Sequence, residues 1–214
     1  MNTTKWLNTA LLLSIITIVY NIAEGLVSVY FGSSDDTLVL LGFGVDSFVE
    51  VISGIGILHM VIRMQRSEIK NFDKFERLAL RITGVAFIVL AAGLVAGSIL
   101  NIINKSKPET TLAGIIIAAI SIVTMYFLMQ YKLKTGKALN SEAIIADAHC
   151  TKTCLYLSFI LLASSLLYEF VKISYIDIAG SLGIAWYAFS EGRESLEKAR
   201  KNQLSCGCGE NCHE

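Results

Sequence analysis

Proline and charged residues are scarce in this chain of 214 residues, which contains one proline and only 17% charged residues. Hydrophobic residues make up 54% of it, an apolar excess that soluble domains rarely reach. The formal net charge is zero, so the composition gives no reason to expect a nucleic acid partner. We therefore expect an integral membrane protein with little mass outside the bilayer, in the cell (plasma) membrane.

Cysteine is also scarce, and its five residues fall into two clusters. Cys150 and Cys154 lie in an apolar run, whereas Cys206, Cys208 and Cys212 lie in the tail. This is not the disulfide framework of a secreted fold, and clustered thiols in a reducing compartment are more typical of metal binding. The first apolar run is too long for the core of a signal peptide and lacks a clear cleavage site, so we expect it to be the first span.

The apolar runs predict an all-α membrane protein with six transmembrane helices, because a chain in lipid must satisfy its own backbone hydrogen bonds. The predicted spans lie at about residues 6–31, 37–62, 78–103, 111–131, 142–167 and 173–192. We expect residues 1–196 to form the transporter domain and residues 197–214 a cysteine-rich cytoplasmic tail. So short a tail is too small for a folded domain.

Lysine and arginine predict the orientation of these helices. Most basic residues fall on one side, which we assign to the cytoplasm together with both termini; they are Lys5, Arg63, Arg66, Lys70, Lys74, Arg77, Arg81, Lys132, Lys134, Lys137, Arg193, Lys198, Arg200 and Lys201. The predicted fourth span is then uncharged and assigned to packing. Gly93 and Gly97 in the third span form a GxxxG pair, which makes this span a candidate face for a homodimer.

Two spans carry side chains that suit a metal ion. Asp46 and Glu50 are spaced i, i+4 in the second span, and Asp147, Cys150 and Cys154 are spaced i, i+3, i+7 in the fifth. Each set therefore shares one helix face. Two carboxylates on one face repel each other unless a cation or a proton lies between them. The alternatives are that the acids form a structural polar pair and that the cysteines only pack.

Four ligands suit a tetrahedral divalent ion, and they are offered here by Asp46, Glu50, Cys150 and Cys154. We expect Asp147 to stabilise these ligands without binding the metal directly. Thiolates favour Zn²⁺, Cd²⁺ or another soft ion and make Mn²⁺ less favourable. Because the ligands must lose protons to bind metal, metal movement can be coupled to proton movement.

The tail offers a second set of soft ligands, Cys206, Cys208, Cys212 and His213. These residues either form a flexible chelator that captures cytoplasmic metal or belong to a solvated tail whose thiols do little. Elsewhere, Glu24 in the first span fits a helix-packing or supporting role at least as well as direct binding.

These motifs together resemble those of the cation diffusion facilitator family. Asp46-Ser-Phe-Val-Glu50 is similar to the family's DxxxD or HxxxD motif in the second span. The stretch from Ala146 to Cys154 is similar to its A-D-x-x-H-x-x-x-D motif in the fifth, with Cys150 at the histidine position and Cys154 at the aspartate position. The resemblance implies proton-coupled metal export by a six-helix bundle with alternating access, and homodimers. The two sulfurs depart from the family pattern and put its usual zinc or manganese selectivity in question.

The main interpretation is thus proton-coupled efflux of a divalent transition metal, with Zn²⁺ or Cd²⁺ as the transported ion and no resident cofactor. The rival is a membrane-embedded metal sensor or binding protein that holds the ion without moving it. We do not expect an enzyme, because no set of nucleophile, base and orienting residue is visible and a site with four protein ligands leaves no open position for water.

Overall fold

The computed structural model describes residues 3–65, 74–104, 112–139, 141–171 and 175–201. Over these ranges the chain forms six α-helices and no strand; they are α1 (Thr3–Ser34), α2 (Leu38–Gln65), α3 (Lys74–Asn104), α4 (Leu112–Leu139), α5 (Glu142–Val171) and α6 (Tyr175–Lys201). The predicted all-α class and the number of helices are confirmed. The cysteine-rich tail, with Cys206, Cys208, Cys212 and His213, lies outside the described residues.

Within the described ranges, five of the six helices are long and apolar enough to cross a membrane. Many of their apolar side chains point outward, among them Val19 on α1, Ile103 on α3 and Phe170 on α5. Exposed apolar surface of this extent suits contact with lipid. The second half of α6 is strongly charged from Glu191 to Lys201, so its crossing of the membrane stays a prediction, as does the orientation of the termini.

The fourth helix is longer than the sequence indicated. We expected it to end near residue 131, with Lys132 in a cytoplasmic loop, but α4 continues to Leu139 and Lys132 is only 2% exposed. Both the loop position of Lys132 and the description of α4 as an uncharged packing helix were therefore wrong. No proline follows Tyr131 before α4 ends, so nothing in the local sequence forces the helix to stop there.

The helices pack mainly in pairs: α1 with α2, α3 with α6, and α4 with α5. A central apolar cluster contains side chains from α2, α3, α4, α5 and α6, with Phe43, Leu157 and Ile184 among its fully buried members. Close helix contact depends on glycine at Gly136, where a Cβ would lie 3.0 Å from the backbone nitrogen of Ile145. This contact brings the C-terminal half of α4 against the start of α5.

A buried carboxylate on α6 holds the N-terminus of α2. Asp177 is 2% exposed, and it accepts hydrogen bonds from the backbone N–H groups of Leu38 at 3.1 Å and Val39 at 3.3 Å. The first N–H groups of a helix have no partner within the helix, so a carboxylate from another helix can satisfy them. Asp177 therefore links α6 to the helix that carries Asp46 and Glu50.

Candidate metal site

All five residues that the sequence proposed for the membrane site face one internal cavity of about 50 Å³. The cavity lies between the helices and has room for an ion or a few waters. Its lining consists of Thr17, Asn21, Asp46, Glu50, Gly54, Thr83, Phe87, Lys132, Asp147, Cys150, Thr151, Thr153, Cys154, Glu191 and Ser195. The structure thus brings the motifs of α2 and α5 together, and it adds residues from α1, α3, α4 and α6.

On α2, the two acids differ in their surroundings. Asp46 is 3% exposed, and its Oδ1 atom has no hydrogen-bond partner among the described residues. Glu50 accepts a hydrogen bond of 2.8 Å through Oε2 from the side-chain amide of Asn21 on α1. A buried carboxylate oxygen without a partner is costly. Asp46 therefore offers an oxygen that a cation or a proton would stabilise.

Asn21 was not among the proposed site residues, although it lies at the centre of an apolar helix. Its side chain is fully buried, and its Oδ1 atom has no hydrogen-bond partner within the described part of the chain. By contrast, the neighbouring Glu24 accepts hydrogen bonds from Tyr20 at 2.8 Å and from Ser47 at 3.1 Å. Glu24 thus has hydrogen-bond partners that fit the packing role considered above. Asn21 instead presents a further oxygen atom that could bind a metal ion.

The two sulfurs on α5 are not a matched pair of thiolates in this structure. Cys154 is a buried free cysteine whose Sγ donates a hydrogen bond to the backbone oxygen of Cys150 at 3.1 Å. Cys150 itself is disulfide-bonded. Only the thiolate of a cysteine binds metal. Metal binding by both sulfurs would thus require reduction of Cys150 and loss of the Cys154 proton.

Asp147 forms the main ion pair of the cavity. Its Oδ2 atom lies 2.9 Å from Nζ of Lys132 on α4, and the same Nζ donates a hydrogen bond of 2.9 Å to Thr151. The other lysine of this region, Lys152 on α5, has its Nζ atom 5.6 Å from the ring centre of Tyr156. The sequence did not reveal Lys132 because the fourth span was predicted to end at residue 131, just before this charged residue, whereas α4 continues to Leu139.

Glu191 on α6 is the other carboxyl group that the sequence did not assign to the cavity. Thr153 on α5 donates a hydrogen bond to its Oε1 atom at 3.3 Å, and Glu191 lines the same cavity as Asp46. The predicted sixth span, residues 173–192, ends just beyond Glu191, and the sequence did not single this residue out. Its position among charged residues hides it in the sequence, because only the packing of α6 shows which of them turns inward.

These donors face the cavity without converging on a point. Among the described residues, no three His, Cys, Asp or Glu side chains are close enough together to hold a metal ion. A bound ion would therefore need the side chains of α2 and α5 to close around it. The oxygen atoms without partners on Asp46 and Asn21 are the ones that such closure would satisfy.

The helical bundle and this carboxylate-lined cavity define a class, integral membrane proteins with an internal cavity that suits a cation. The family model for the cation efflux transmembrane domain matches residues 10–202 of the chain. The protein therefore belongs to the cation efflux family, the cation diffusion facilitators, and the resemblance noted in the sequence is confirmed.

Two curated relatives support this membership. An uncharacterised transporter of Methanocaldococcus jannaschii, MJ0449, is 32% identical over 183 residues, which cover 82% of this chain and 64% of that protein. The manganese efflux system protein MneP of Bacillus subtilis is 26% identical over 125 residues, which cover 56% of this chain and 42% of that protein. This chain thus spans less than two thirds of the length of either relative.

Proposed function

We propose that this protein exports divalent transition metal cations from the cytoplasm in exchange for protons, and that the cavity between α2 and α5 is its transport site. The observation that carries the proposal is the buried Oδ1 atom of Asp46, which lacks a hydrogen-bond partner among the described residues. Glu50, one helical turn away, faces the same cavity. Two buried acids on one face favour binding of a cation or of protons, and metal and protons then compete for the same oxygens.

We further propose Zn²⁺ or Cd²⁺ as the cargo when the cysteines are reduced, because sulfur ligands favour these ions. A second candidate is Mn²⁺, which is supported by the name of the Bacillus subtilis relative and by the oxygen donors of Asn21, Asp46, Glu50 and Glu191. Oxygen ligands suit Mn²⁺ better than sulfur does. The redox state of Cys150 and the ionisation of Cys154 would thus decide which ion the site prefers.

The test is metal uptake into inside-out proteoliposomes with an acidic lumen, under reducing conditions, for Zn²⁺, Cd²⁺ and Mn²⁺ in parallel. We expect Asp46→Asn to abolish uptake of every ion that the wild type moves. Asp36→Asn is a matched control, because Asp36 lies exposed in the turn between α1 and α2. Its φ of 51° is one that asparagine also adopts. Uptake that survives Asp46→Asn at the wild-type rate would refute the proposed site.

The cysteines are tested separately with the double change Cys150→Ser and Cys154→Ser. If sulfur sets selectivity, this variant loses uptake of Zn²⁺ and Cd²⁺ and keeps uptake of Mn²⁺. Unchanged uptake of all three ions would show that the cysteines only pack. Uptake that does not respond to the pH gradient would refute proton coupling, and stoichiometric binding without uptake would favour the metal sensor.

A further inference from the structure

Lys132 is the one basic residue among the described residues that line the cavity. Its Nζ atom is fixed by Oδ2 of Asp147 and by Oγ1 of Thr151, both at 2.9 Å. The hydroxyl of Thr151 in turn donates to the backbone oxygen of Asp147 at 3.1 Å. The ammonium group is therefore held in place inside the cavity, where removal from water is costly unless a partner compensates it.

The charges around Lys132 give this position a consequence for metal binding. The cavity carries the carboxyl groups of Asp46 and Glu50 from α2, Asp147 from α5 and Glu191 from α6. Lys132 pairs with Asp147, and it lines the same cavity as Glu50. A divalent cation that enters the cavity meets the same carboxylates and is repelled by the ammonium group. Lys132 and the metal ion are therefore attracted by the same carboxylates, and each weakens the binding of the other.

We propose that Lys132 is a built-in counter-cation that sets the metal affinity of the cavity. It keeps Asp147 neutralised, so that Asp147 does not add its charge to the field that holds the metal. It also lowers the affinity of the remaining carboxylates enough for the metal to leave after the site has changed its access. This role deepens the proposed transport function and rests on it; it is distinct from a bridge that only joins α4 to α5.

The experiment compares Lys132→Gln, Asp147→Asn and the double variant, each of which keeps a hydrogen-bonding group at both positions. Equilibrium binding of Zn²⁺, Cd²⁺ and Mn²⁺ is measured on the reduced, detergent-solubilised full chain. We expect Lys132→Gln to bind metal on the order of tenfold more tightly, because Asp147 is left uncompensated. Asp147→Asn should bind on the order of tenfold more weakly, because Lys132 is left uncompensated. The double variant should lie near the wild type.

Transport kinetics supply a second readout. Lys132→Gln should lower KM and also lower the maximal rate, because a more tightly held ion leaves more slowly. Asp147→Asn should raise KM. Lys134→Gln removes a charge from the exposed side of α4, outside the cavity lining, and serves as the matched control. Its metal affinity should stay close to that of the wild type.

A bridge that only holds α4 against α5 predicts a different pattern, in which both single variants weaken metal binding together. That outcome, or an unchanged metal affinity in Lys132→Gln, would refute the proposed role of Lys132 as a counter-cation. If Lys132→Gln does not fold, the test is the comparison of Asp147→Asn with the double variant. The proposal then requires the double variant to bind metal more tightly than Asp147→Asn, with an affinity near that of the wild type. If the wild type binds none of the three ions, the proposed function fails and this inference fails with it.

Discussion

The contact of Asp177 with α2 gives a prediction whose size follows from the structure. Replacement of Asp177 by alanine removes the acceptor of two backbone N–H groups, those of Leu38 and Val39. Both groups are at the first turn of α2, and Asp177 is buried, so water does not readily replace it. A lost N-cap costs about 0.5–2 kcal/mol, and an unsatisfied buried donor costs about 1–3 kcal/mol. We therefore expect a loss of about 2–4 kcal/mol in the free energy of unfolding.

For a chain of this size, that loss corresponds to a fall of roughly 4–16 °C in the unfolding midpoint. The assay is thermal unfolding of the purified protein in detergent, followed by the loss of the monodisperse peak in size-exclusion chromatography. Asp177→Asn keeps one acceptor oxygen and should show about half of the effect. Asp36→Asn, in the exposed turn before α2, is the control and should not change the midpoint. A midpoint of Asp177→Ala within about one degree of the wild type would refute the reasoning.

Two further predictions concern the helices around the cavity. Asn21→Leu removes the amide that donates to Glu50, so we expect a loss of about 1–3 kcal/mol in stability and weaker metal binding; equal unfolding midpoint and equal Zn²⁺ affinity would contradict this. Gly136→Ala should lower the midpoint and the rate of metal uptake, because the new Cβ would lie 2.7 Å from the side chain of Ile145 and force α4 away from α5. Gly183→Ala is the matched control, since the nearest atom to a Cβ there is Cγ2 of Ile160 at 3.5 Å, an ordinary van der Waals contact. If the two glycine variants have the same unfolding midpoint and the same rate of metal uptake, close packing at Gly136 does not determine the position of α4 against α5.

Local sequence patterns are enough to define the class of the protein and the motifs of its site. Apolar runs long enough to cross a bilayer must form helices, because lipid offers no partner for backbone groups. The i, i+4 spacing places Asp46 and Glu50 on one face of α2 whatever the rest of the chain does. The same local geometry aligns Asp147, Cys150 and Cys154 on α5. These inferences need only helix periodicity, so they survive without knowledge of packing.

The packing of the helices against one another selects the other side chains that enter the cavity. Lys132 and Glu191 each lie in a charged stretch at the end of an apolar run, where sequence reading assigns them to water. Contact between α4 and α5 turns Lys132 inward to Asp147, and packing of α6 turns Glu191 toward Thr153. A charge becomes part of an internal site when a neighbouring helix covers it and offers a partner. That neighbour is remote in sequence, so local periodicity does not reveal it.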